Sequence, residues 1–159
     1  MKQFKYGRAG EQPPYHYTMC GLDDIYLLSG YRRDETKYGN GVAIDNLDGL
    51  HRAIGEYLVL SKKALTHKEV RFLRHQMDLT QAELGDIMRV GDQTVARWEK
   101  NETAIPGPAE MLLRALYLCH VSKRVDLRGL AEKLRQIDDS NGGRHLFAPT
   151  DSGWKSIAA

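Results

Sequence analysis

Asp92, Gln93, Thr94 and Arg97 stand close together in a stretch, residues 80–100, that reads as two short helices joined by a tight turn. Side chains of these types can recognise base pairs. A glutamine amide pairs in bidentate fashion with adenine N6 and N7, and an arginine guanidinium with guanine O6 and N7. Each such pair discriminates by about 1–3 kcal/mol. A helix that carries them on an open face can enter the DNA major groove and reach base edges from its N-terminal end.

Two helices must hold that face. Thr80 and Glu83 form a capping box that starts a helix over Gln81 to Met88. A second helix runs from about Asp92 to Lys100, with Val95 and Trp98 facing inward and Gln93, Thr94, Arg97 and Lys100 outward. Burying Val95 and Trp98 stabilises the pair by roughly 2–3 kcal/mol each. Ala82, Leu84, Ile87 and Met88 supply the inner side of the first helix, and Gly85 lies where a larger side chain would force the two apart. On spacing alone, an ordinary α-hairpin of a small bundle fits the same pattern.

Three further helices complete a five-helix pattern over residues 62–139. Thr66 and Glu69 make another capping box, for a helix over His67 to Met77 with Val70, Leu73 and Met77 inward. Pro108 suits the first turn of a helix that ends near His120 and is apolar at Met111, Leu112, Ala115, Leu116 and Leu118. A last helix spans about Leu127 to Ile137. Before this bundle, residues 15–61 read as a small unit. Tyr15 to Met19, Ile25 to Leu28 and Val42 to Ile44 suggest an antiparallel sheet of two or three strands, and Asp45 or Asn46 caps a helix over Leu47 to about Leu60. Residues 1–14 are expected to be mobile and 140–159 irregular, with Trp154 and Ile157 free to dock. The fold class is therefore mainly α with a small N-terminal β-sheet, α+β.

The run Leu79-Thr-Gln-Ala-Glu-Leu-Gly85, then Val90, then Thr94-Val-Ala-Arg-Trp-Glu99 resembles the Xre/Cro-type helix-turn-helix repressors over about Thr66 to Val121. The resemblance implies a five-helix bundle that binds operator DNA as a dimer. It implies that Gln81 bonds a phosphate, and that Asp92, Gln93 and Arg97 occupy base-reading positions. Thr94, between them, would touch a phosphate or a thymine methyl. Asp92 would accept from cytosine N4 or help cap its helix; capping is favoured, because Gly91 stands where the family often has Ser or Thr. The family also joins Arg74 and Glu99 in an ion pair. One departure is Arg89, where the family usually has Gly; a left-handed Arg89 would store about 1–2 kcal/mol, or be kept for a phosphate. The DNA-facing set is thus Thr80, Gln81, Arg89, Asp92, Gln93, Thr94, Arg97 and Lys100.

Composition agrees without deciding. The chain has 159 residues, 42% hydrophobic and 28% charged, with net charge +2. Residues 62–135 hold 14 Lys and Arg against 10 Asp and Glu, so the positive excess sits on the segment with the two-helix motif, where phosphate contacts need it. No apolar run is long enough to cross a membrane and no secretory leader is evident, so a cytoplasmic setting is expected. Cys20 and Cys119 form no CxxC pair, and neither His16 with Cys20 nor His51 with Cys119 has the spacing of a four-ligand zinc site; no metal or other cofactor is expected. Asp23-Asp24 and Asp34-Glu35 read as turn residues, and no nucleophile motif, phosphate loop or HExxH is present, so no catalysis is expected.

The order of a β-rich unit, a helix and an Xre-like segment followed by Ile105-Pro-Gly-Pro-Ala109 is similar to antitoxins of the MqsA type. Those proteins bind a toxin through an N-terminal domain with a Cys-x-x-Cys zinc site and repress their own operon. Tyr17-Thr-Met-Cys20-Gly21-Leu22 is all that matches that site; the other cysteines are missing, and zinc is not carried over. The resemblance implies a homodimeric, autoregulating antitoxin of a type II toxin–antitoxin pair, on double-stranded DNA with two half-sites. The alternative is a stand-alone regulator whose N-terminal unit senses a small molecule or only dimerises.

Overall fold

Twelve elements follow one another along the chain in a computed structural model that describes residues 13–121, 123–138 and 143–157. They are β1 (Tyr15–His16), β2 (Ile25–Leu27), β3 (Tyr31–Thr36), β4 (Gly39–Ile44), α1 (Leu47–Ser61), α2 (His67–Gln76), α3 (Gln81–Met88), α4 (Asp92–Glu99), α5 (Gly107–His120), α6 (Leu127–Gln136), β5 (His145–Thr150) and β6 (Gly153–Ile157). The described residues divide into two units: 13–54 with 143–157, and 55–138. The division falls inside α1. The expectation of mobility over 1–14 falls almost wholly outside the described residues.

The first unit is built on a four-stranded sheet of order β1-β2-β5-β6. Strands β1 and β2 are antiparallel, β2 and β5 are parallel with Ile25 opposite His145 and Leu27 opposite Phe147, and β5 and β6 are antiparallel. Alternation places Ile25, Leu27 and Phe147 on the buried face with Trp154. Strands β3 and β4 form a separate two-stranded ribbon. The anticipated antiparallel sheet of two or three strands is therefore corrected to a mixed sheet plus a ribbon. The region expected to be irregular, 140–159, supplies two of the strands through its described residues. Asp34 and Glu35 lie within β3, not in a turn.

Trp154 explains the tail's capture. Its indole N–H donates to the Asp45 carbonyl at 2.9 Å, and its ring lies over Gly30. A Cβ at Gly30 would fall 2.6 Å from that ring, and the residue has φ +80, so both space and backbone require glycine. Asn46 accepts from the Gly49 N–H and caps α1, whose Leu50 and Ile54 are fully buried. In the same unit the buried Tyr17 hydroxyl lies 2.7 Å from His51 Nε2.

In the second unit, Arg114 of α5 is completely buried, and its guanidinium closes the C-terminal end of α1. It donates to the carbonyls of Leu58 and Val59 at 3.1 and 2.7 Å, to Lys63 at 3.3 Å, and to the Glu110 carboxylate. A cation there satisfies carbonyls that the helix leaves unpaired. Val70, Leu73, Met77, Leu84, Val95, Trp98, Leu113, Tyr117, Leu130 and Leu134 form the apolar core.

Candidate nucleic-acid interface

Helix α3 begins where two hydrogen bonds are exchanged. The Thr80 hydroxyl accepts from the Glu83 N–H at 3.1 Å, and the Glu83 carboxylate accepts from the Thr80 N–H at 2.7 Å. The same box opens α2 at Thr66 and Glu69. Thr80 therefore serves the helix start directly, whatever else it meets.

The turn into α4 depends on Gly85. A Cβ at that position would lie 2.7 Å from the Val90 carbonyl oxygen and 3.3 Å from the Gly91 carbonyl carbon. The close approach lets the Val90 N–H reach the Gly85 carbonyl at 2.9 Å. Arg89 completes the turn in the left-handed conformation, φ 62 and ψ 38, with its side chain exposed. The inner side of α3 differs from the sequence expectation: Leu84 and Gly85 are buried and Met88 is half-buried, but Ala82 is exposed and Ile87 is 43% exposed. At about 100° per residue Ala82 lies on the side of α3 opposite the buried Leu84, so the inward face runs through Leu84, Gly85 and Met88.

Helix α4 buries Val95, Trp98 and Glu99. Gln93, Arg97 and Lys100 follow at i, i+4 and i+7 and are all exposed, so they share one stripe. Asp92 is exposed beside them and Thr94 is half-buried. The N-cap is Gly91, which supplies no side-chain bond, and the Asp92 carboxylate accepts from the adjacent Gln93 N–H at 2.8 Å. The expected cap is met only in this partial form.

One carboxylate fixes the tilt of this helix. Glu99 Oε1 accepts from Arg74 Nε at 2.5 Å and Oε2 from Arg74 Nη2 at 3.0 Å; Arg74 Nη1 also donates to the Leu79 carbonyl at 2.8 Å. Gln81 Nε2 donates to Glu99 Oε2 at 2.8 Å. Helices α2, α3 and α4 thus meet at a single buried group. Burial alone would raise the Glu99 pKa, but the hydrogen bonds from Arg74 and Gln81, with the charges of Arg74 and Arg71, hold it below the ordinary carboxylate value. Gln81, expected only at a phosphate, is here also a partner of Glu99. An amide NH2 has two donors, so the bond to Glu99 orients Gln81 and leaves one N–H for another acceptor.

The model of the helix-turn-helix family matches residues 70–113, a span that contains α3, the turn and α4. This segment is thus similar to the helix-turn-helix of the Xre/Cro type, an element of DNA-binding transcription regulators. No curated protein and no solved structure matches the chain. Among the described residues, no helix is long and apolar enough to cross a membrane.

Proposed function

We propose that this chain is a sequence-specific transcriptional repressor that binds a two-fold operator as a homodimer. The supporting observation is the contrast along α4. Glu99 is locked between Arg74 and Gln81, while Gln93 and Arg97 are exposed on the opposite side. A helix anchored at its inner edge and polar outside presents fixed donors to base edges. In this reading Gln93 takes adenine and Arg97 guanine, and Gln81, Arg89 and Lys100 approach phosphates.

One recognition helix spans few base pairs, and a two-fold dimer doubles the contact with half-sites about one helical turn apart. Leu112, Ala115 and Leu116, at i, i+3 and i+4 of α5, are exposed or half-buried and form an apolar strip for such pairing. Leu130 of α6 is buried in the core. The first unit is assigned to toxin binding, which makes the protein an autoregulating antitoxin with no catalytic step of its own. Its ribbon, exposed from Arg32 to Gly41 with Tyr38 at 89%, is a surface for a protein partner.

Titration with the chain's own upstream DNA at two salt concentrations tests the repressor reading. Specific binding that weakens steeply with salt is expected. Equal affinity for unrelated duplexes contradicts it. Co-expression with a neighbouring toxin gene tests the antitoxin assignment; growth rescue is expected, and growth arrest unchanged by the chain contradicts it.

A further inference from the structure

We propose that β3 is a self-recognition edge: the β3 strands of two copies of this chain add to one another antiparallel, Arg33 of each facing Glu35 of the other. Strand β3, Tyr31-Arg-Arg-Asp-Glu-Thr36, carries four charges in two blocks, positive then negative. Its ribbon partner β4, Gly39-Asn-Gly-Val-Ala-Ile44, carries none. The register sets Arg33 against Val42, Asp34 against Gly41 and Glu35 against Asn40, so β4 answers none of these charges. Arg32 reaches Asp45 at 3.8 Å, and the Arg33 guanidinium lies 5.9 Å from the Tyr15 ring centre. Among the described residues, Arg33, Asp34 and Glu35 have no ion pair within 4.0 Å.

The outer edge of β3 is open as well. Among the described residues the ribbon has two strands only, and residues 32–41 are exposed. The Asp45 N–H donates to the Gly30 carbonyl; the same alternation turns the backbone groups of Arg32, Asp34 and Thr36 toward β4 and those of Tyr31, Arg33 and Glu35 outward. In an antiparallel ladder, opposite residues either both face the partner strand or both face away. A two-fold axis at Asp34 meets that condition. Arg33 and Glu35 then pair twice, through backbone bonds and through charge, and Arg32 of each copy lies diagonally beside Asp34 of the other. In-register parallel addition would set arginine against arginine and aspartate against aspartate, so the block order selects the antiparallel arrangement. Charges on an edge strand ordinarily turn other strands away. Here a strand of inverse order is admitted, and a second copy running the other way supplies it. The contact is separate from the α5 strip and does not rest on the DNA-binding reading. It leaves β4 for another protein.

Sedimentation of the full chain, of Arg33→Glu and Glu35→Arg separately, and of an equimolar mixture of the two variants tests this. Both positions are exposed, so the variants should fold as the wild type does. The wild type should self-associate through a contact that each variant weakens roughly 10- to 100-fold, because either substitution alone brings like charges together in both pairs. In the mixture both pairs are again of opposite sign, and the mixed complex should regain the strength of the wild type. Variants that sediment as the wild type does at every concentration overturn the inference. A mixture that associates no more strongly than either variant alone also overturns it.

Discussion

The guanidinium of Arg74 and the carboxylate of Glu99 form two parallel hydrogen bonds across 25 residues of sequence, from α2 to the last residue of α4. Both residues are buried, at 7% and 8% exposure. Such a pair is better judged by what its loss does than by its net contribution, since desolvation offsets much of the attraction. Here it also fixes the direction of a helix whose other side is polar.

Replacing Glu99 by Gln keeps the shape and removes the charge, leaving Arg74 buried without its counter-ion. A loss of about 3–5 kcal/mol is expected in denaturant unfolding. The pH dependence follows from the lowered Glu99 pKa. Its contribution is fully present above the ordinary carboxylate value of 4.5 and is lost as pH falls through the lower folded value. Glu99→Gln should remove that acid-side loss, and an unchanged acid limb contradicts the assignment.

Gly85→Ala places a methyl group 2.7 Å from the Val90 carbonyl oxygen, which belongs to the turn backbone. Relief requires α3 and the turn to separate. The expected destabilisation is about 1–3 kcal/mol, measured by thermal unfolding, with DNA affinity lowered for every sequence alike. A neutral substitution would show that the turn is not held by this contact.

Arg89→Gly separates strain from charge. Glycine accepts φ 62 freely, so stability should rise by about 1 kcal/mol. Loss of the cation should weaken DNA binding across sequences and reduce the salt slope by about one. A stabilised variant with an unaltered slope would place Arg89 away from the phosphates.

Burial, reinforced by the nearby Cys20 and Tyr15, pushes the Tyr17 phenol up to about 12, and burial lowers the pKa of its partner His51 against the opposing charge of Asp48. His51 is therefore held neutral. Its contribution is complete above the ordinary 6.5 and declines as pH falls toward the lower folded value. The drop in melting temperature from about pH 7.5 to about pH 5.5 should shrink in His51→Gln. An equal drop in both proteins contradicts this.

The second unit was largely legible because its signals are local. Thr66 with Glu69 and Thr80 with Glu83 mark helix starts within four residues, and Pro108 marks another. The Arg74–Glu99 pair came from family resemblance and is present. Arg114 was missed because a charged residue reads as surface until the carbonyls it reaches, 51 to 56 residues away, are known. Strand β3 was missed because Tyr31-Arg-Arg-Asp-Glu-Thr36 is polar on both faces, as an exposed ribbon permits. Strand β5 pairs in parallel with β2 across most of the chain and carries Pro149, so nothing nearby announces it. In the candidate site, the exposed stripe of α4 was visible from periodicity, whereas the bond from Gln81 to Glu99 needed the crossing of two helices.

The most direct test of the account is base discrimination by α4. Affinities of Gln93→Ala, Arg97→Ala and Gln81→Ala for the chain's upstream operator and for single-base variants of it should be compared at one salt concentration. Gln93→Ala and Arg97→Ala should each lose about 1–3 kcal/mol of discrimination at one base pair per half-site, while Gln81→Ala weakens all duplexes similarly. Full discrimination retained by both α4 variants would contradict the claim that this helix reads the sequence.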